Sequence, residues 1–171
     1  MHITPENAER HTLSVVVDNE AGVLARIAGM FTARGYNIES LTVADVTEDE
    51  TISRITIVTS GTRDVIDQVV AQLDRLVPVH RVTDLTELGP HVERELALVK
   101  VAGTGEHRIE ALRLAEVYRA HVIDATTSSF VFEVTGGPEK IDKFLELMRE
   151  IGLVEVARTG VAAMARGKEA L

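Results

Sequence analysis

The same order of secondary-structure elements is predicted twice along the 171 residues, and this repetition limits the possible folds more than any other feature. In each half, β-branched or alternating runs predict strands, and apolar residues at three-and-four spacing predict helices. The order is strand, helix, strand, strand, helix, strand. After a break at Gly89 and Pro90 it repeats, and Gly22 of the first copy recurs as Gly105 in the second. The chain is therefore predicted to be α+β, with two tandem βαββαβ ferredoxin-like domains, each an antiparallel four-stranded sheet with both helices on one face.

The predicted elements and domain limits are as follows. The first copy has strands at Leu13–Val17, Asn37–Val46, Ile52–Thr59 and Val79–Leu85, with helices from about Val23 to Gly35 and along 66–77. The second has strands at Glu93–Ala102, His121–Thr126, Phe130–Thr135 and Val154–Ala162, with helices along Ile109–Arg119 and 141–148. The limits are a flexible tail at 1–10, a first domain at 11–86, a linker at 87–92, a second domain at 93–165 and a tail at 166–171.

Charge and composition exclude several classes of partner. The 18 basic and 27 acidic residues give a net charge of −9, which repels nucleic acid and offers no basic patch for an anionic membrane surface. No cysteine is present, so disulfides, thiolate nucleophiles and Cys-ligated metals are excluded. With no apolar stretch of signal-peptide or membrane-span length, we expect a soluble, cytoplasmic protein.

The segment from Asp18 to Arg26 joins the first strand to the first helix and is the strongest candidate for a binding site. The first N–H groups of a helix lack intrahelical partners and lie at the positive end of its dipole, so a carboxylate or phosphate is stabilised there. Gly22 would let a ligand approach without a β-carbon in the way. The same residues also suit a helix cap and a turn that bind nothing, and the spacing alone leaves both interpretations open.

The second strand is predicted to lie at an edge of the first sheet, where residues 37–45 contain neither Lys nor Pro to discourage pairing. We therefore predict that two chains pair through this edge, forming an eight-stranded sheet across a twofold axis. Such a homodimer would bring Asn37 and Ile38 of one chain close to the Asn19–Gly22 loop of its partner.

No constellation of catalytic or metal-ligating residues is evident. The acidic run at 47–50 lacks the ligand spacing of a calcium loop and is interpreted as a solvated hairpin tip. Gly103-Thr104-Gly105 resembles the start of a dinucleotide loop, but Arg108 stands where the third glycine is needed, so it is interpreted as a turn. Ser128 and Ser129 lack a nucleophile elbow. The histidines show no HxxxH or HExxH spacing: His2, His11, His80, His91, His107 and His121.

Five ordered segments of the chain form a recognisable pattern: Leu13–Arg26 (LSVVVDNEAGVLAR), Arg34–Val43 (RGYNIESLTV), Leu76–Val79 (LVPV), His91–Leu96 (HVEREL) and Val154–Gly160 (VEVARTG). Together they resemble the small, regulatory subunit of acetohydroxyacid synthase (acetolactate synthase), and the likeness runs from Arg10 to about Gly167. The first copy resembles an ACT domain, a module that senses small molecules in amino-acid metabolism.

The resemblance implies a non-catalytic chain that associates with a separate catalytic subunit carrying thiamine diphosphate, Mg²⁺ and FAD. It implies that the chain activates that subunit and makes it sensitive to feedback by a branched-chain amino acid, usually valine. An amino acid requires an anion site, acceptors for its ammonium and a small apolar pocket. Seven residues are the predicted ligand contacts across the dimer interface: Asn19, Ala21, Gly22, Val23, Leu24, Asn37 and Ile38.

Two alternatives remain open at this stage. The chain could be an ACT-type amino-acid sensor that regulates another biosynthetic enzyme, sharing the first domain and differing in the second. It could also be a purely structural dimerisation protein, which would bind no amino acid. The segments at 91–96 and 154–160 favour the synthase family over the first alternative.

Overall fold

The computed structural model describes residues 7–170, which form two compact units. One unit comprises the chain through Val92 together with the residues from Val161 onward, and the other is Glu93–Gly160. The predicted second domain, 93–165, therefore differs from the observed unit at its C-terminal end. Of the predicted N-terminal tail, residues 1–6 lie outside the described residues, and Glu9 and Arg10 belong to the first strand.

The first unit is a four-stranded antiparallel sheet with strand order β2-β3-β1-β4. Its elements are β1 (Glu9–Asp18), α1 (Val23–Ala33), β2 (Ser40–Asp45), β3 (Ile52–Gly61), α2 (Arg63–Asp74), β4 (Val79–Asp84) and the short helix α3 (Leu85–Leu88). Leu13, Val15 and Ile57 of the sheet are fully buried with Ile27 of α1 and Val69 of α2 in one apolar core. The predicted fold is confirmed, and β2 lies at the edge of the sheet as expected.

The second unit repeats this arrangement with strand order β6-β7-β5-β8. Its elements are β5 (His91–Ala102), α4 (Gly105–Val117), β6 (His121–Ala125), β7 (Ser129–Gly136), α5 (Pro138–Ile151) and β8 (Leu153–Arg158). Val99, Phe132 and Phe144 are fully buried in its core, and the Phe132 and Phe144 rings meet edge to face with their centroids 6.2 Å apart. A further strand, β9 (Ala162–Ala165), pairs with β5, whose first two residues belong to the same unit as β9.

The predicted linker at 87–92 contains the end of α3 and the start of β5, and the second unit begins at Glu93. The Asp84 carboxylate accepts hydrogen bonds from the backbone N–H groups of Thr86 and Glu87, at 2.9 and 3.3 Å, and so starts α3 where the fourth strand was expected to continue through Leu85. Leu85 is fully buried. A side-chain cap and one buried leucine thus convert a predicted strand end into a helical turn.

The predicted last strand, Val154–Ala162, was also wrong, because the structure has two strands there, β8 and β9. Gly160 has a φ of +85°, in the left-handed region that interrupts an extended chain. Thr159 already leaves the strand and donates its N–H to the Leu96 carbonyl at 3.0 Å. The predicted second strand likewise begins later, at Ser40, so that Asn37 and Ile38 precede it.

Candidate functional site

The loop between β1 and α1 presents an uncapped helix N-terminus. Gly22 occupies the position before α1 with φ +91° and ψ −5°, a left-handed conformation, and no side chain caps the helix. A β-carbon on Gly22 would meet no atom within 4 Å, so the space in front of the helix is open. Ala21, Gly22 and Leu24 are exposed. The first amides of α1 are therefore accessible to a ligand, and the helix dipole favours an anion there.

Three hydrogen bonds to two neighbouring segments hold this loop in place. The Asp18 N–H donates to the Pro78 carbonyl at 2.9 Å, and the Asn19 N–H donates to the Thr51 carbonyl at 2.8 Å. The Asn19 side-chain amide donates to the Glu50 carbonyl at 2.8 Å. The loop is thus fixed against the start of β4 and against the tip of the β2–β3 hairpin, and a ligand would meet a preorganised surface.

The acidic side chains of the loop contact basic side chains that the sequence analysis did not connect to it. His80 Nε2 lies 2.6 Å from Asp18 Oδ1, and an Arg26 nitrogen lies 3.5 Å from Glu20 Oε1. All four side chains are about half exposed. The Arg26 guanidinium reduces the repulsion that Glu20 would exert on an incoming anion, and the contact with His80 fixes the Asp18 carboxylate in place. Asp18 and His80 are 62 residues apart, and no local pattern links them.

The hairpin tip beside the loop contains Asp49, whose pKa is lowered by neighbouring hydroxyl groups. Side-chain hydrogen bonds from Thr47 and Thr51 lower the pKa of Asp49 below its ordinary value. Glu50 adopts a φ of +56°, which is uncommon for a residue with a β-carbon, and its carbonyl is the acceptor for Asn19. Residues 47–50 are exposed, in agreement with a solvated tip.

Asn37 and Ile38 lie past the other end of α1, away from the loop at Gly22. Eleven helical residues separate the two groups, which corresponds to about 16 Å along the helix axis. Asn37 is exposed, and its carbonyl accepts a hydrogen bond from Thr59 Oγ1 at 2.6 Å. Ile38 is half-buried against the core of the unit. A single chain therefore does not bring the two predicted halves of the site together.

The apolar residues predicted to line the pocket have different environments. Leu24 is 45% exposed, whereas Val23 is 4% exposed and packs in the core with Ile27. Of these two residues, Leu24 is the one whose side chain is accessible at the N-terminus of α1. The backbone N–H of Val23 forms a long contact of 3.5 Å with the Glu20 carbonyl.

The equivalent loop of the second unit lies between β5 and α4. Gly105 is left-handed with φ +58°, and Thr104 before it makes no side-chain cap. Gly103 donates its N–H to the Ser128 carbonyl at 2.9 Å, and the Arg108 guanidinium stacks on the Phe130 ring at 3.9 Å from its centroid. This loop has no counterpart of Asn19.

Neither a cluster of metal ligands nor a membrane-spanning helix is present in the described part of the chain. Within residues 7–170, no group of three or more His, Asp or Glu side chains is placed to hold a metal ion. Across the same part of the chain, every helix is too short or too polar to cross a bilayer.

Comparisons with known proteins identify the same family in both halves of the chain. The family model described as an AHAS small subunit-like ACT domain matches residues 13–81, and the model of the small subunit of acetolactate synthase matches residues 94–167. A probable acetolactate synthase small subunit from Archaeoglobus fulgidus is 46% identical over 160 residues, covering 94% of this chain and 99% of that protein. The acetolactate synthase isozyme 3 small subunit of Escherichia coli is 47% identical, covering 92% and 96%. The crystal structure of the acetolactate synthase small subunit from Thermotoga maritima superposes with a TM-score of 0.82 at 36% identity, covering 94% of this chain and 99% of that one.

The tandem ferredoxin-like fold, together with the uncapped N-terminus of α1 after the left-handed Gly22, is typical of an ACT-domain protein. The chain belongs to the family of acetolactate synthase small subunits, as the resemblance in its sequence indicated.

Proposed function

We propose that this chain is the regulatory subunit of an acetolactate synthase and confers feedback inhibition by valine or another branched-chain amino acid. It associates with a catalytic subunit, raises its activity and transmits the effector signal, while thiamine diphosphate, Mg²⁺ and FAD belong to that catalytic subunit. Membership of the small-subunit family along 92–94% of the chain supports the association. The match of residues 94–167 favours this function over an ACT sensor for another enzyme.

The main support for an effector site shared by two chains is that its two predicted halves lie at opposite ends of α1 in one chain. The Asn19–Leu24 group offers amides for a carboxylate, and Asn37 with nearby carbonyls offers acceptors for an ammonium group. The two groups lie at opposite ends of α1, a helix about 16 Å long, and a free amino acid is much shorter than this, so one chain cannot supply both contacts. We propose that the second half comes from a partner copy.

Strand β2 supports this pairing because it is the free edge of the first sheet. Its exposed side includes Val43, which is 44% exposed, and the following Val46 is 49% exposed. Edge-to-edge addition of a second β2 satisfies unpaired backbone groups and covers these valines. In the resulting homodimer, Asn37 and Ile38 of one protomer approach the Asn19–Gly22 loop of the other. Valine bound across this dimer interface shifts the equilibrium between two conformational states of the complex with the catalytic subunit. The size of the shift is set by the difference in valine affinity between the two states.

Subunit complementation tests the composite site. Gly22→Asp places a carboxylate in the half that holds the ligand carboxylate, and Asn37→Leu removes the amide from the other half. Each homodimer should bind valine poorly in calorimetry. A heterodimer of the two variants contains one doubly altered and one intact site, so it should recover valine binding at half the wild-type stoichiometry.

Titration of the wild-type chain with valine, leucine and isoleucine, followed by reconstitution with the catalytic subunit, tests the function itself. The expected result is binding of at least one of the three and inhibition of the reconstituted synthase. No recovery in the heterodimer, or a monomer by ultracentrifugation at micromolar concentration, would exclude the composite site. Binding of none of the three amino acids would exclude the effector class.

A further inference from the structure

The chain passes from a fixed point in the second unit to a fixed point in the first within three residues, Thr159 to Val161. Thr159 is held to Leu96 of β5 by three hydrogen bonds: its N–H donates to the Leu96 carbonyl at 3.0 Å, and its hydroxyl accepts from the Leu96 N–H at 3.1 Å and donates to the same carbonyl at 3.3 Å. Val161 is only 2% exposed, and its N–H donates to Ser40 Oγ at 2.8 Å. Gly160 between them is left-handed.

Ser40 connects this anchor to the proposed effector site. It is the first residue of β2 and lies two positions after Ile38 and three after Asn37. The same short segment is also held by β3, because Thr59 donates to the Asn37 carbonyl at 2.6 Å and the Glu39 N–H donates to the Val58 carbonyl at 2.8 Å. The hydrogen bond from the Val161 N–H to Ser40 Oγ, here called the anchor, is thus a further restraint on the segment that contains Asn37.

We propose that the hydrogen bond from Val161 to Ser40 is a positioning contact that couples the proposed effector site to the chain where it returns to the first unit at Val161. Two Cα–Cα steps separate Thr159 from Val161, a reach of about 7 Å, and the left-handed Gly160 between them sets the direction in which the Val161 N–H meets Ser40. A ligand that changes the position of the 37–40 segment therefore changes the strength of the anchor. By linkage, the anchor changes ligand affinity by the same factor.

This inference rests on the proposed function, since it assumes that valine binds beside Asn37. It assigns Ser40 and Val161 a role without direct contact with the ligand. Both residues are therefore positioning residues, and the test needs a readout that a general loss of stability would not change.

Ser40→Ala removes the acceptor for the Val161 N–H and leaves that amide unpaired. Calorimetry should show valine affinity reduced about two- to tenfold, the range expected for one such hydrogen bond. Hydrogen exchange of the Val161 amide, followed by NMR, supplies the second readout. Valine should slow this exchange in the wild-type chain and should have no such effect in Ser40→Ala.

Two further variants separate positioning from folding. Ser53→Ala removes another hydroxyl on the same hairpin, which donates to Asp45 Oδ1 at 2.7 Å and does not contact Val161. It should keep valine affinity within twofold and retain the protection at Val161. Ser40→Thr keeps the oxygen at the strand position and should restore both readouts.

The outcomes distinguish this coupling from the function on which it rests. If wild-type chain binds valine but exchange at Val161 is unchanged, or if Ser40→Ala binds as tightly as wild type, the coupling is overturned and the effector site stands. If wild-type chain binds none of valine, leucine and isoleucine, the effector site itself is overturned and the coupling falls with it.

Discussion

The side-chain amide of Asn19 donates a hydrogen bond to the Glu50 carbonyl at 2.8 Å and so ties the β1–α1 loop to the tip of the β2–β3 hairpin. The backbone N–H of Asn19 adds a second bond, to the Thr51 carbonyl at 2.8 Å. Asn19 was predicted from the sequence as a ligand contact, and the structure gives it this bracing contact. The two roles are compatible, because an amide nitrogen carries two hydrogens and the side-chain oxygen stays available.

We predict that Asn19→Ala weakens valine binding about tenfold, because the loop loses its tie to the hairpin and must be ordered by the ligand. Isothermal titration calorimetry measures the change. Glu50→Gly is the matched control, since it keeps the accepting carbonyl and suits the φ of +56° at that position. It should bind valine within twofold of wild type. Equal losses in both variants would contradict the role given to Asn19.

Gly22→Asp is expected to abolish valine inhibition while association with the catalytic subunit is retained. The new β-carbon has space around it, but its carboxylate would lie where the ligand carboxylate binds, and the left-handed φ of +91° adds strain of about 1 kcal/mol. Gly105→Asp places the same change at the equivalent left-handed glycine of the second unit, where a β-carbon also meets nothing within 4 Å. Inhibition assays of the reconstituted enzyme should show loss of valine sensitivity for Gly22→Asp alone.

Arg158→Met should lower the free energy of unfolding by about 1–3 kcal/mol. Arg158 forms an ion pair with Glu95, whose side chain is 2% exposed, and with Asp142 at 2.6 Å. Partial burial of Arg158 would lower the pKa of its guanidinium, but the hydrogen bonds that it donates to Glu95 and Asp142 outweigh this and raise the pKa. The expected loss lies below that of a fully buried pair, because the Arg158 side chain is 34% exposed. Urea denaturation measures it.

The exposed pair between Lys100 and Glu155, at 2.5 Å, serves as the control for that experiment. Lys100→Met should leave the urea midpoint close to that of wild type, because solvent screens an exposed pair. A shift as large as that of Arg158→Met would show that burial of Glu95 is not the cause.

Lys100→Met should raise the pKa of Glu155 back toward its ordinary value. In the native chain the side-chain hydrogen bond from Lys100 and its charge lower this pKa. The carboxylate therefore contributes stability above its unfolded pKa of about 4.3, and this contribution is lost as the pH falls through the lower folded value. NMR titration of the glutamate carboxyls measures the change. Glu110, whose pKa is lowered by Arg113, is an internal control that should not move.

Gly152→Ala should destabilise the chain by about 2–4 kcal/mol. Gly152 ends α5 with a φ of +152°, and a β-carbon there would lie 2.2 Å from the Ala102 carbonyl oxygen, so the backbone must shift. Gly29→Ala, inside α1 with open space around it, should instead stabilise by about 0.5–1 kcal/mol. Thermal and urea denaturation of both variants give the two values, and equal effects would contradict the steric account.

Sequence patterns predicted the elements of this fold because strand and helix periodicity reflect local hydrogen bonding and one-sided burial. The β-branched run at Leu13–Val17 is almost continuously buried in the structure, and the helical spacing from Val23 to Phe31 corresponds to the buried face of α1. The edge position of β2 followed from the order of elements. The α3 turn was missed because its cap, Asp84, also fits the end of a strand.

The sequence by itself determined the tandem βαββαβ order, the helix N-terminus that follows Gly22 and the family to which the chain belongs. Only the tertiary structure decided which groups meet: Asp18 with His80, Asn19 with Glu50, and Val161 with Ser40, a pair separated by 121 residues. The physical reason is that periodicity is a property of neighbouring residues. These contacts instead depend on sheet register and on the path of the chain after Gly160, which many distant residues set together.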